Sequence, residues 1–100
     1  MKYNKLVRDN IPDIIVSKGD HATTHIANDK EYWEKLKEKL VEEVEEFAKD
    51  ESIAEIADIL EVITAIIAYK RFDPVELSEI KRKKKEERGG FEKRIILEES

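Results

Sequence analysis

The apolar positions of this chain change their pattern in one stretch, and that stretch predicts the architecture. From Ile53 to Tyr69, thirteen of seventeen residues are apolar. At about 100° per residue they surround a helical axis instead of lining one side of it. A helix apolar on every side needs cover on every side. Its polar residues, Glu55, Asp58, Glu61 and Thr64, fall three apart, and Glu55 and Asp58 share a side with Val62 and Tyr69. Two carboxylates are therefore expected to point into packed surroundings, where an ionised group is costly unless a partner or a metal compensates it.

The preceding segment shows an ordinary amphipathic pattern. Trp33, Leu36, Leu40, Val44 and Phe47 fall on one helical stripe, with Glu43 at its edge beside Leu36 and Phe47, and Glu46 one turn further on. Only Asp50, Glu51 and Ser52 separate the two patterns, so an antiparallel helical hairpin is expected. Positions equally distant from the turn then oppose each other, which sets Glu43 against Asp58 and Glu46 against Glu55. Carboxylates gathered at one level repel and raise one another's pKa values unless a cation joins them. An all-oxygen donor set without Cys or His suits Mg²⁺, with Mn²⁺ as the alternative, and argues against zinc or copper. Each acid also has a plain explanation. An acidic run on a helix is commonly a solvated face with Glu/Lys pairs, and Glu55 fits a capping box with Ser52. Asp58, inside an apolar helix, has no such excuse.

The remaining elements follow from local signals. Asp9 or Asn10 can cap a short helix over 11–18, with Pro12 in its first turn and Gly19 at its end. His21 to Ala27 is rich in β-branched residues and predicts a strand over 22–27. Asn28 with Glu31 resembles a capping box opening the long helix, which runs to about Lys49. Asp73 and Pro74 open another long helix that ends near Arg88, before Gly89 and Gly90. Residues 91–98 read as a second strand, and since a lone strand is unstable the two are expected to pair. The expected fold is thus mostly α, a helical bundle with one small two-stranded β element.

Composition narrows the classes of function. One hundred residues make one small domain that buries a modest share of its surface. An all-round apolar helix in so short a chain predicts association, most simply a homodimer, with a higher homo-oligomer as the alternative. The charged fraction is 43%, yet both signs are interleaved and the net charge is −5, which excludes a generally basic coat for a nucleic acid polymer. Cysteine is absent, removing disulfides, thiolate metal sites and thiol nucleophiles. The start lacks the apolar core of a signal peptide, and the apolar stretches are too short to span a membrane, so a cytoplasmic location is expected. His21 and His25 read as structural, and Tyr32 and Trp33 as packing residues, although either ring could stack on a base.

Glu42-Glu43-x-x-Glu46 followed by Glu55-x-x-Asp58 resembles the paired acidic signature of the MazG-type, all-α nucleoside triphosphate pyrophosphohydrolases. KLVRD near the start and KKKEERGGFEKRIIL near the end resemble small MazG-like proteins related to phosphoribosyl-ATP pyrophosphohydrolase, so the likeness covers nearly the whole chain. Two departures stand out. The eight residues between Glu46 and Glu55 are fewer than usual, implying a tighter hairpin, and Asn10 stands where a basic residue is expected.

The resemblance implies Mg²⁺-dependent hydrolysis of a nucleoside triphosphate, of the noncanonical kind in a house-cleaning role, to the monophosphate and pyrophosphate. It implies Glu43, Glu46, Glu55 and Asp58 as catalytic metal ligands, with either Glu42 acting from behind them or one of the four orienting the attacking water. A triphosphate also needs cations. Lys5 and Arg8 before the first helix, and Lys85 and Arg88 beside the Gly89-Gly90 turn, are the expected substrate-binding residues, with Lys84, Lys93 and Arg94 nearby. Both chain ends are thus expected to cover the mouth of the carboxylate site. The alternatives are the phosphoribosyl-ATP step of histidine biosynthesis and, in a different class, a non-catalytic helical dimer that binds a nucleotide or a protein.

Overall fold

A computed structural model describes residues 4–100, so the first three residues of the start considered for targeting lie outside the described residues. The order is α1 (Ile11–Ser17), α2 (Asp29–Asp50), α3 (Ile53–Lys70) and α4 (Pro74–Arg88). No described helix is long and apolar enough to cross a membrane.

Local chemistry explains the boundaries. Asn10 holds the position before α1 without a side-chain hydrogen bond, while Pro12 fits the first turn. The Glu31 amide donates to Asn28 Oδ1 at 2.9 Å to open α2, and the Glu55 amide donates to Ser52 Oγ at 3.3 Å to open α3. Between them, Glu51 adopts a left-handed conformation (φ 50°), and its amide donates to the Phe47 carbonyl at 2.7 Å, reversing the chain within two residues. Asp73 caps α4 through the Val75 amide at 3.0 Å.

The α2–α3 hairpin is the body of the molecule. Its core is small: Leu36, 1% exposed, and Val62, 8% exposed, are the buried apolar side chains among the described residues, and Glu43 lies buried beside them at 9%. The open end is fastened by aromatic rings. Trp33 and Tyr69 stack with centroids 5.4 Å apart, and Tyr32 meets Tyr69 edge-on at 5.5 Å. The Tyr69 hydroxyl donates to the Asp29 carbonyl at 3.2 Å, and the Lys70 ammonium sits 4.3 Å from the Trp33 ring centre. Tyr32 and Trp33 thus serve packing.

Two expectations need correction. No strand forms among the described residues: 22–27 and 91–98 are irregular, with Ile26 at 96% exposure and Ile96 at 82%. β-Branched content favours a strand only when a neighbour supplies the ladder, and neither segment has one. Nor is α3 covered on all sides. Among the described residues α2 is the helix that packs along it, and Ile53 stays 90% and Leu60 57% exposed. Val44, on the apolar stripe of α2, is likewise 48% exposed.

The chain is elongated, 55 × 31 × 24 Å, with a radius of gyration of 17.9 Å; a compact chain of this length has about 13 Å. Its accessible surface is 9446 Å², against roughly 5,900 Å² expected of a compact monomer of this mass. Every residue from 71 to 100 is exposed, so α4 and the tail project as an arm.

With so few buried side chains, the hairpin should depend heavily on Leu36. Leu36→Ala is expected to cost about 2–5 kcal/mol, seen as a large drop in melting temperature by circular dichroism. Glu45→Ala, at an exposed position of the same helix, should change stability by no more than about 0.5 kcal/mol. Equal effects from the two would contradict the packing described.

Candidate metal centre

The hairpin brings acids from both helices to one place. Glu43 from α2 and Glu55 and Asp58 from α3 each present an oxygen within 4.8 Å of the others. The reason is positional: Glu43 lies at the inner edge of α2 beside Leu36, and Glu55 and Asp58 lie one turn apart on the side of α3 that meets it. Glu43 is buried and the other two are half-buried. Glu46 is exposed and stands outside this group, yet its charge reaches Glu55.

Glu55 is the uncompensated member. Its Oε2 is buried and has no hydrogen-bond partner. Its amide is capped by Ser52, but its carboxylate does not complete a reciprocal capping box. Burial pushes the Glu55 pKa up, and the charges of Asp58, Glu43, Glu46 and Asp50 push it the same way.

The other acids have cations at hand. Arg8 donates from Nη2 to Asp58 Oδ1 at 2.8 Å, and Lys5 Nζ donates to Glu42 Oε1 at 3.2 Å. Lys39, one turn before the acids on α2, lies 3.6 Å from Glu42 and 3.4 Å from Glu43. For Glu42, burial raises the pKa, but the Lys5 hydrogen bond and the Lys39 and Lys5 charges outweigh it and hold the carboxyl below its ordinary value. The segment before α1 thus crosses the hairpin where the acids converge. Lys85 and Arg88 sit instead on α4, where neither side chain makes an ion pair among the described residues.

Lys39 was absent from the sequence reading, although its spacing to Glu42 and Glu43, three and four residues, was a visible signal for pairing. His25 also pairs, with Nε2 2.9 Å from Glu31 Oε1, away from the acidic group.

Chemically, the three acids form a hard-oxygen donor set in a partly dry position, with an orphaned oxygen that lacks a protein partner. That fits an oxygen-seeking divalent cation such as Mg²⁺, and cations lie close enough to meet an anion bound beside it. No family model, curated protein or solved structure matches this chain.

The pKa shifts predict opposite responses to acid. Glu55 titrates above the ordinary 4.5 in the folded chain, so its ionised form costs stability at neutral pH, and the cost is relieved as pH falls through the raised pKa. Glu42 titrates below 4.5, so its contribution is present above that value and is lost as pH falls through its lowered pKa. Metal-free Glu55→Gln should therefore melt above the wild type at neutral pH, with the gap closing as pH falls toward 4.5. Identical melting at neutral pH would show that Glu55 carries no such cost.

Proposed function

We propose that the chain is a Mg²⁺-dependent nucleoside triphosphate pyrophosphohydrolase of MazG-like type, cleaving the α–β phosphoanhydride of a noncanonical nucleotide in a house-cleaning role. The observation that carries this reading is the convergence of Glu43, Glu55 and Asp58 around the unpartnered, buried Glu55 Oε2. The acidic signature on α2 and α3, and its resemblance to those enzymes, support it independently.

In this reading Glu43, Glu55 and Asp58 would hold the metal, with Glu46, whose charge is felt at Glu55, as a further acid at the exposed edge. A divalent cation held by these acids would supply neutralisation of phosphate charge and activation of water. Arg8 and Lys5 stand beside the acids, and their present partners Asp58 and Glu42 keep them in place to grip phosphate oxygens. Glu42 positions Lys5 and Lys39. Self-association belongs to the same reading, because the accessible surface of one chain exceeds that of a compact monomer by on the order of 3,500 Å². A stable obligate interface buries areas of that class.

A second reading has one observation in its favour. The Arg8–Asp58 ion pair at 2.8 Å already compensates one of the acids, as it would in a non-catalytic helical protein whose charges serve structure.

Pyrophosphate release from a panel of nucleoside triphosphates, with Mg²⁺ and with EDTA, separates the two. Turnover of at least one nucleotide is expected, abolished by EDTA and lowered at least about 100-fold in Asp58→Asn. Mg²⁺ at about 100 times its dissociation constant should also stabilise the wild type by about 2.7 kcal/mol and leave Asp58→Asn nearly unmoved. Turnover that survives Asp58→Asn, or a Mg²⁺ response equal in both proteins, would defeat the proposal.

A further inference from the structure

The hairpin is acidic, and the projecting arm, nearly neutral as a whole with nine basic and eight acidic residues over 71–100, concentrates its cations in one run. Residues 29–70 hold thirteen acidic side chains against six basic ones, while residues 81–94 hold eight basic against three acidic. A chain with a net charge of −5 has therefore separated its charge along its length. The arm nevertheless lies off its own hairpin. The packing between helices is that of α2 on α3, and every residue of α4 is exposed.

Both surfaces are also apolar. On the hairpin, Ile53, Ile56, Leu60 and Ile63 form a ridge at helical spacing along α3, exposed by 90, 40, 57 and 36%. On the arm, apolar residues flank the basic run: Leu77 and Ile80 before it, at 43 and 46%, and Ile95 and Ile96 after it, at 78 and 82%. Patches of this kind on a soluble chain mark surfaces that are covered in the assembled state.

We infer that α4 and the tail of one chain dock on the α2–α3 hairpin of a second copy, and that the exchange is reciprocal in a two-fold dimer. A dimer built hairpin against hairpin would bring two surfaces of net negative charge together. The basic run 81–94 on the hairpin instead pairs positive with negative, and the residues that flank it pair apolar with apolar. The surface in excess of a compact monomer, on the order of 3,500 Å² per chain, is enough for an obligate interface formed twice over by symmetry. The inference goes beyond the proposed hydrolysis and does not need it.

The test is zero-length cross-linking of lysine amines to carboxylates by carbodiimide. Full-length chains labelled with ¹⁴N and ¹⁵N are mixed in denaturant and refolded together before the reagent is added. Solution mass should be twice the 11.7 kDa of one chain, and arm-to-hairpin links should join unlike isotopes as often as like ones. Simultaneous Lys81→Glu, Lys83→Glu and Lys84→Glu, at exposed positions, should return the mass to that of one chain. Links confined to like isotopes would show that the arm folds back on its own hairpin and overturn the inference. So would a monomeric mass, mixed links running only between hairpins, or a dimer indifferent to the charge reversal. None of these readouts requires turnover, so a failed hydrolysis assay and a failed exchange are separate results.

Discussion

The structure depends on one contact, the packing of α2 against α3, and that contact is made under an electrostatic constraint. The seam that buries Leu36 and Val62 also buries Glu43 and encloses an oxygen of Glu55. Apolar burial holds the helices together, and the same closeness forces three carboxylates within 4.8 Å of one another. A pairing that served stability alone would have placed apolar groups there, since replacing buried charges with hydrophobes is often neutral or favourable. Arg8, Lys5 and Lys39 relieve part of the repulsion from outside the seam. Glu55 Oε2 keeps none of that relief, so the cost is concentrated on one oxygen where a cation of the right hardness would remove it.

Much of this was legible in the sequence because it rests on short-range rules. The helix starts at Asn28, Ser52 and Asp73 follow from capping chemistry, and the hairpin follows from two periodic segments separated by Asp50, Glu51 and Ser52. Mirror spacing about that turn placed Glu43 near Asp58, as the structure has it. The same spacing set Glu46 against Glu55, but Glu46 is exposed and stands outside the group, because a residue three positions beyond Glu43 is also rotated toward solvent. What the sequence could not carry was anything that needed a distant partner. Residues 22–27 and 91–98 have strand-like content, but a strand exists only where another pairs with it. The apolar surround of α3 said that cover was needed and was silent on what supplies it.

The same distinction separates the two ends of the chain. The start carries Leu6 and Arg8, the first half-buried and the second ion-paired to Asp58, and these anchor it across the hairpin. The other end has a longer helix and more cations, yet among the described residues every position from 71 to 100 is exposed. Its Arg82–Glu86 pair lies within α4 and ties it to nothing else. A marginal core, a charge-segregated arm and an uncovered ridge on α3 are thus one fact seen three ways: a single copy buries too little to close its own surface.

The central claim is that Glu43, Glu55 and Asp58 form one cation site within the seam, distinct from the many acids on the exposed faces. The most direct measurement is substoichiometric Mn²⁺ titration of ¹⁵N-labelled protein, with paramagnetic broadening followed residue by residue. The account predicts broadening concentrated around residues 43, 55 and 58 and reversed by excess Mg²⁺. Broadening spread evenly over the exposed acidic positions of α2 and the arm, or none near Glu55, would contradict it.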